Sequence, residues 1–364
     1  MRLCISDCLP WDYNVETPYR RPFGGMQSAA CHLAVALAKL GHEVSFLSHT
    51  SEPGMRLGVD CRSWKEGSSL IGTGQAAFDA AISLTADSSI LRDVVGPGVP
   101  IYFWTGHADD QLAVQYLTHE DARDQWNGFI FASEWQRDRF IQRFGLRRAR
   151  TAVIRYAIAP IFENRFADAE CLAFAKRHDP PQLAYTSTPY RGLELLLAVF
   201  PLLASQANLR IYSSMATYAG GESDAPYRQL YEKCKATPLV DYIGAIPQPE
   251  LAASLEAVNV LAYPNTFPET GCIAVMEAMA SGCAIVTSNL GALAETTEGF
   301  ASLIEVDDDW YVYAQKFIAA LEQAIDFTKS EAGIQHLWSQ VQHINANCTW
   351  GVRAKQWAAL LSGS

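Results

Sequence analysis

The sequence predicts an α/β protein built from two doubly wound domains. Three observations predict it. Short apolar runs alternate with longer helical patterns along most of the chain. The runs are apolar nearly throughout, as parallel strands covered on both faces require. The chain, at 364 residues, is long for one domain. It suits two of about 150–180 residues.

In the first half the expected strands are EVSFLS (43–48), DAAISL (79–84), PIYFW (100–104), GFIFAS (128–133) and TAVIRY (151–156). In the second half they are QLAYTS (182–187), LRIYSS (209–214), VDYIGA (240–245), VNVLAY (258–263), CAIVTS (283–288) and ASLIE (301–305). Helical patterns fall between them, for instance GMQSAACHLAVALAKLG (25–41) and PYRQLYEKCKAT (226–237). The series breaks at YAIAPIFENRF (156–166), a proline-containing segment that reads as a linker. Domains over 1–157 and 158–337 follow, with a ligand cleft expected at the carboxyl ends of their strands. No internal repeat or low-complexity tract interrupts this order.

Composition excludes several function classes. The formal net charge is −11, which argues against a nucleic-acid binder, because neutralising phosphates needs excess Lys and Arg. The nine cysteines are scattered without a C-x-x-C pair, and the histidines lack metal-ligand spacing. Reduced cysteines in a cytoplasmic protein are the expectation. No run approaches the length of a membrane span, and the start, MRLCISDCLPWDY, lacks the pattern of a signal peptide.

The stretch FPETGCIAVMEAMASGCAIVTSN (267–289) carries the chemistry. Glu269 falls in the loop at the carboxyl end of a strand, beside a helix start, and Glu277 falls within that helix. Eight helical residues turn by about 800°, or about 80° net, so both carboxylates could border one ligand roughly 12 Å long. The helix start offers the backbone N–H groups of Gly271, Cys272 and Ile273, a natural seat for a phosphate. Carboxylates beside it suit hydroxyl groups. An anion and several hydroxyls along one line describe a nucleotide sugar. A carboxylate among Val275, Met276, Ala278 and Met279 needs a partner.

PETGCIAVMEAMASGCAIVTSN resembles the E-x7-E region of the retaining GT-B glycosyltransferases of family 4, the glycosyltransferase group 1 type. The resemblance implies a GT-B fold: two Rossmann-like domains facing a central cleft, with a C-terminal helix crossing back to the first. Residues 1–157 would be the acceptor domain, completed by 338–364, and 158–337 the nucleotide-sugar donor domain. It implies that Glu269 contacts the donor sugar and Glu277 the nucleotide ribose. RRPFGGMQSAACHLAVALAKLGHEV resembles the family's glycine loop, where Gly24 and Gly25 let the backbone approach a pyrophosphate. In IYFWTGHADDQ, His107 stands where the family carries an active-site histidine.

YTSTPYRGLELLL resembles the family's G-R-x-x-x-x-K-G segment, whose two cations clamp the donor diphosphate. Arg191 stands at the lysine position, but Thr186 replaces the arginine, so Ser187 and Thr188 hydroxyls are the candidates to fill in. DYIGAIPQPEL resembles the loop that reads the nucleobase near Ala245 and Ile246, and Thr270 adjoins the phosphate seat. CTWGVRAKQWAALL resembles the family's terminal helix.

Three rival signals stand beside this. GTGQAAF (72–78) matches a dinucleotide fingerprint, but the preceding VDCRSWKEGSSL is polar and reads as no buried strand. Asp307-Asp308-Asp309 contains a metal-binding D-x-D, read here as a helix cap. RDRFIQRFGLRRAR (137–150) gathers six arginines, a surface for weak peripheral membrane contact or a solvated helix end.

The expected function is retaining transfer of a sugar from a nucleoside diphosphate donor to a sugar, glycan or lipid-linked acceptor. No metal, no cofactor and no nucleic acid are expected, and the location is cytoplasmic or at the inner membrane face. The alternatives are an NAD-dependent oxidoreductase and a non-catalytic sugar-nucleotide binding protein.

Overall fold

The computed structural model describes residues 1–64, 78–85, 88–203, 206–218 and 224–363. The chain divides into two compact units, residues 1–157 with 350–364, and residues 158–349.

Among the described residues unit 1 has eight strands: β1 Arg2–Ser6, β2 Glu43–Ser48, β3 Gly54–Arg56, β4 Val59–Ser63, β5 Ala80–Ser83, β6 Ile101–Trp104, β7 Gly128–Phe131 and β8 Thr151–Val153. Their order is β3-β4-β2-β1-β5-β6-β7-β8. Every pair is parallel except β3 with β4. β5, β6 and β7 are buried along their whole length, which is why they read as uninterrupted apolar runs.

Three strands, β1, β3 and β4, lie outside the sequence reading. β1 was not among the expected strands, although Leu3, Cys4 and Ile5 are buried. β4 lies within the segment read as polar. Its burial alternates, with Val59, Cys61 and Ser63 inward and Asp60 and Arg62 outward. The glycine-rich match at 72–77 lies outside the described residues.

Among the described residues unit 2 carries six strands: β9 Gln182–Tyr185, β10 Asn208–Ile211, β11 Val240–Tyr242, β12 Val260–Tyr263, β13 Ala284–Ser288 and β14 Ala301–Ile304. All are parallel, in the order β11-β10-β9-β12-β13-β14. The chain leaves β9 toward one side and returns at β12 on the other. That reversal is the topological switch point of a doubly wound sheet, beside which ligands bind. The segment read as a linker is packed, with Ala157, Ile158, Ala159 and Phe162 all buried.

The segment that rejoins unit 1 begins at Trp350, not at 338. The helix Glu331–Asn347 belongs to unit 2, where Gln340 donates to the carbonyls of Met279 and Cys283. The final helix, Trp350–Ser362, is anchored in unit 1 by aromatic packing. Trp357 and Trp350 meet Trp104 at 5.2 and 6.3 Å between ring centroids, and Arg353 donates to the Tyr156 carbonyl at 3.0 Å. Among the described residues no helix is long and apolar enough to cross a membrane.

Candidate active site

At the switch point of unit 2, the loops after β9 and β12 bring Arg191 and Glu269 together. Arg191 Nη1 donates to Glu269 Oε1 at 2.7 Å, and the Tyr263 hydroxyl donates to the same oxygen at 2.5 Å. Glu269 is buried, at 3% exposure. The guanidinium lies 4.8 Å from the Phe267 ring centroid and 5.6 Å from that of Tyr190. Burial opposes its charge, but the Glu269 carboxylate holds Arg191 protonated well above its ordinary range.

Two glycines make this approach possible. Gly192 has φ +100°, and a Cβ there would sit 2.0 Å from the Pro264 carbonyl oxygen. Gly291 has φ +61°, and its Cβ would meet Glu269 O and N at 2.3 and 2.5 Å. The backbone at Gly291 pairs with Glu269 in a short parallel bridge, and Ala292 N–H donates to Glu269 O at 2.7 Å. The main chain of Glu269 is therefore pinned from both sides. Neither Gly291 nor Tyr263 was singled out from the sequence. Gly291 lies far along the chain from Glu269, with no local pattern to tie them.

Ser187 joins the cluster through Tyr263, donating to its hydroxyl at 3.4 Å. Thr188 is buried and contributes its carbonyl, which accepts from Tyr185 at 2.7 Å and from Arg191 N–H at 3.2 Å.

Glu269 stands outside the helix, which runs Ile273–Ala280. The helical arithmetic between the two glutamates therefore fails, because Thr270, Gly271 and Cys272 between them are not helical. Thr270 is buried, Gly271 and Ile273 are half-buried, and Cys272 N–H donates to Thr296 Oγ1 at 3.4 Å.

Glu277 has partners of its own. Its Oε1 accepts from Gln248 Nε2 at 3.0 Å, and its carboxylate also accepts from the Ala159 backbone N–H. Burial pushes its pKa up to about 8, against the pull of these hydrogen bonds. Gln248 opens the helix Gln248–Leu255, directly after the half-buried Ala245 and Ile246. The loop read as a nucleobase site is thereby tied to Glu277.

In unit 1, Gly24 caps the helix Gly25–Lys39, and Ser28 N–H returns to the Gly24 carbonyl at 2.9 Å. Gly106 packs on this helix start, since a Cβ there would lie 3.2 Å from Met26 Sδ and 2.8 Å from the Tyr156 hydroxyl. The Gly24–Gly25 turn, after β1, and His107, after β6, therefore lie at the same carboxyl end of the first sheet. His107 is exposed, and its Nδ1 pairs with Gln111 Oε1 at 2.8 Å.

The rival signals resolve locally. Asp309 caps the helix Trp310–Thr328 by accepting from Tyr311 N–H at 2.9 Å, and Asp307 pairs with Lys316 at 2.9 Å. Most of the arginines of 137–150 are engaged within unit 1. Arg139 grips the buried Asp109 with two bonds of 3.1 Å, and Arg148 pairs with Asp138 at 3.2 Å. Arg150 pairs with Asp124 at 2.9 Å, and Arg143 donates to Gln115 at 3.0 Å. Phe140, Phe144 and Leu146 lie in the core.

Residues 175–332, all within unit 2, match the family model of glycosyl transferases group 1. No curated protein matches the chain. Among solved structures, a glycosyltransferase from Rickettsia africae ESF-5 is similar at 10% identity and a TM-score of 0.73, over 100% of this chain and 98% of that one. Sucrose-phosphate synthase from Thermosynechococcus elongatus is similar at 16% identity and a TM-score of 0.73, over 100% and 99%. HepE from Anabaena, solved in complex with UDP and glucose, is similar at 12% identity and a TM-score of 0.71, over 100% of both chains. The protein has the GT-B fold of two Rossmann-like units, and the second of them carries the match to glycosyl transferases group 1.

Proposed function

We propose that the protein is a retaining, metal-independent glycosyltransferase of family 4. It moves a sugar from a nucleoside diphosphate to an acceptor hydroxyl, in the synthesis of a glycan, polysaccharide or glycolipid. One observation carries the reading: Arg191 and Glu269 meet at 2.7 Å at the switch point of the sheet, inside the segment that matches glycosyl transferases group 1. The UDP and glucose held by the Anabaena protein support the donor class.

In this reading Glu269 holds hydroxyls of the donor sugar and Glu277 the ribose. Ala245 and Ile246 border the base. Arg191, with Ser187, Thr188 and the backbone at Thr270, Gly271, Cys272 and Ile273, faces the diphosphate. His107, Gly24 and Gly25 keep, on the resemblance alone, the donor roles expected of them.

The bond from the anomeric carbon to the diphosphate oxygen breaks through an oxocarbenium-like state, and negative charge grows on the leaving group. A fixed guanidinium beside that charge stabilises it without reorganisation. The acceptor hydroxyl attacks from the face the diphosphate leaves, and its proton passes to a departing phosphate oxygen. Configuration is thereby retained without a covalent intermediate. The cytoplasmic location belongs to the same reading. Membrane contact through 137–150 is weak in it, because most of those arginines are already paired.

Thermal unfolding with UDP, GDP, ADP, dTDP and NAD(H) in turn tests it, comparing wild type with Glu277→Ala. A ligand at 100 times its dissociation constant adds about 2.7 kcal/mol, a shift of a few degrees. One nucleoside diphosphate should stabilise wild type and lose that effect in the variant. Stabilisation by NAD(H) alone would overturn the reading.

A further inference from the structure

We propose that Tyr190 and Tyr218 hold the donor diphosphate beside Arg191, supplying neutral O–H donors where a second cation would otherwise be required. This inference rests on the glycosyltransferase reading above.

Arg191 is the cation that acts on Tyr190, Tyr218 and Tyr263 in this cluster. It is already matched by Glu269 at 2.7 Å, so the pair is close to neutral. A diphosphate carries several negative charges, and a neutral pair attracts it weakly. Further donors must come from groups that add no carboxylate. Hydroxyl donors to an anionic oxygen make short, strong hydrogen bonds.

The two phenols are placed for this. Tyr190 follows β9 and directly precedes Arg191, and Tyr218 follows β10. Their hydroxyls are 3.3 Å apart, so one donates to the other. An anion arriving between them can accept from both. Tyr190 is 39% exposed, so the pair is open to solvent rather than sealed in the core. Its ring also stacks against the Arg191 guanidinium, 5.6 Å from the centroid, which fixes hydroxyl and cation in one arrangement.

The hydroxyls divide the work. Burial resists ionisation of Tyr190, but Arg191 beside it brings its pKa below the usual phenol value. Burial holds the Tyr218 proton well above that value, although Arg191 pulls the other way. Tyr218 therefore keeps its proton to higher pH, and Tyr190, the more acidic phenol, is the stronger donor.

A purely structural pair, pinning the loop after β10, predicts something different, and calorimetry separates the two. The full-length protein is titrated with UDP, GDP, ADP and dTDP, and with the corresponding nucleosides, as wild type, Tyr190→Phe and Tyr218→Phe. Phenylalanine keeps the ring against Arg191 and removes only the hydroxyl. The expected result is a loss of about tenfold per hydroxyl in affinity for the diphosphate that binds wild type. Affinity for its nucleoside should hold within about twofold. Equal losses for nucleoside and diphosphate, or no loss, would overturn the inference and leave the glycosyltransferase reading standing. Failure of all four diphosphates to bind wild type would overturn both. Tyr190 is half exposed, so its variant gives the answer even where Tyr218→Phe fails to fold.

Discussion

Arg191 Nη1 lies 2.7 Å from Glu269 Oε1, and the same oxygen accepts from Tyr263 at 2.5 Å. The carboxylate is buried, while the Arg191 side chain keeps 21% of its surface. Removing the cation strands a charge that water cannot reach. Arg191→Ala should therefore cost about 3 kcal/mol of unfolding free energy. The double variant Arg191→Met with Glu269→Gln should recover most of it, because no charge is left unpaired. Urea denaturation of the three proteins checks this. Equal stability of Arg191→Ala and wild type would mean the pair contributes nothing. In the glycosyltransferase reading proposed above, both variants should lose sugar transfer by about a hundredfold or more, since neither retains a cation where the leaving group is placed.

Glu277 gives a pH signature. Its folded pKa is raised to about 8 from the ordinary 4.5, with burial as the leading cause. Between those values the folded protein keeps the proton and the unfolded chain releases it. The group thus favours folding most below pH 4.5, and that contribution is lost as pH rises to about 8. Glu277→Gln cannot titrate. The difference in melting temperature between variant and wild type should grow in the variant's favour across this window and level off above it. A difference independent of pH would show that the carboxyl stays ionised in the folded protein.

Lys176 is a buried ammonium that donates to three carbonyls: Leu255 at 3.2 Å, Val258 at 2.6 Å and Ser281 at 2.7 Å. Burial pulls its pKa down, with Cys283 and Glu256 acting the other way. Leu255 ends the helix Gln248–Leu255, and Ser281 caps the helix that carries Glu277. Lys176→Met fills the space but takes the donor from the Val258 and Ser281 carbonyls, while Leu255 O keeps its bond from Val258 N–H at 3.1 Å. We expect a loss of about 3 kcal/mol or more, measured by urea denaturation. A cost below about 1 kcal/mol would mean that the carbonyls find water instead.

What the sequence revealed, and what it hid, follows from how each feature is encoded. β6 and β12 are apolar at every position because both faces are covered, and such runs are legible one segment at a time. β4 hides because Asp60 and Arg62 alternate with its inward residues. β1 hides because its apolar run is only Leu3-Cys4-Ile5, between the polar Arg2 and Ser6. Glu269 and Glu277 stand out as carboxylates in apolar surroundings. Their partners do not. Gln248 reaches Glu277 from another helix, Tyr263 reaches Glu269 from the end of β12, and Gly291 packs on Glu269 from beyond β13. Those contacts arise only from the order of strands in the sheet. A single sequence holds no spacing rule that would announce them.

Gly291 is the sharpest of these hidden requirements, and a pair of glycine variants isolates it. Gly291 and Gly299 both have positive φ, +61° and +87°, so alanine at either pays the left-handed backbone penalty of about 1–2 kcal/mol. Only Gly291 also faces a wall. Its Cβ would lie 2.3 Å from Glu269 O and 2.5 Å from Glu269 N, whereas nothing lies within 4 Å of a Cβ at Gly299. Backbone atoms cannot swing aside as a flexible side chain can. Gly291→Ala must therefore push the Glu269 main chain away, disturbing the ion pair to Arg191 together with the bond from Tyr263. It should cost about 3 kcal/mol or more and remove stabilisation by the nucleoside diphosphate. Gly299→Ala should cost only the backbone penalty and keep that stabilisation. Melting curves of both variants, with and without the ligand, decide the matter. Equal effects at the two positions would mean that Gly291 serves its own turn and not the placement of Glu269.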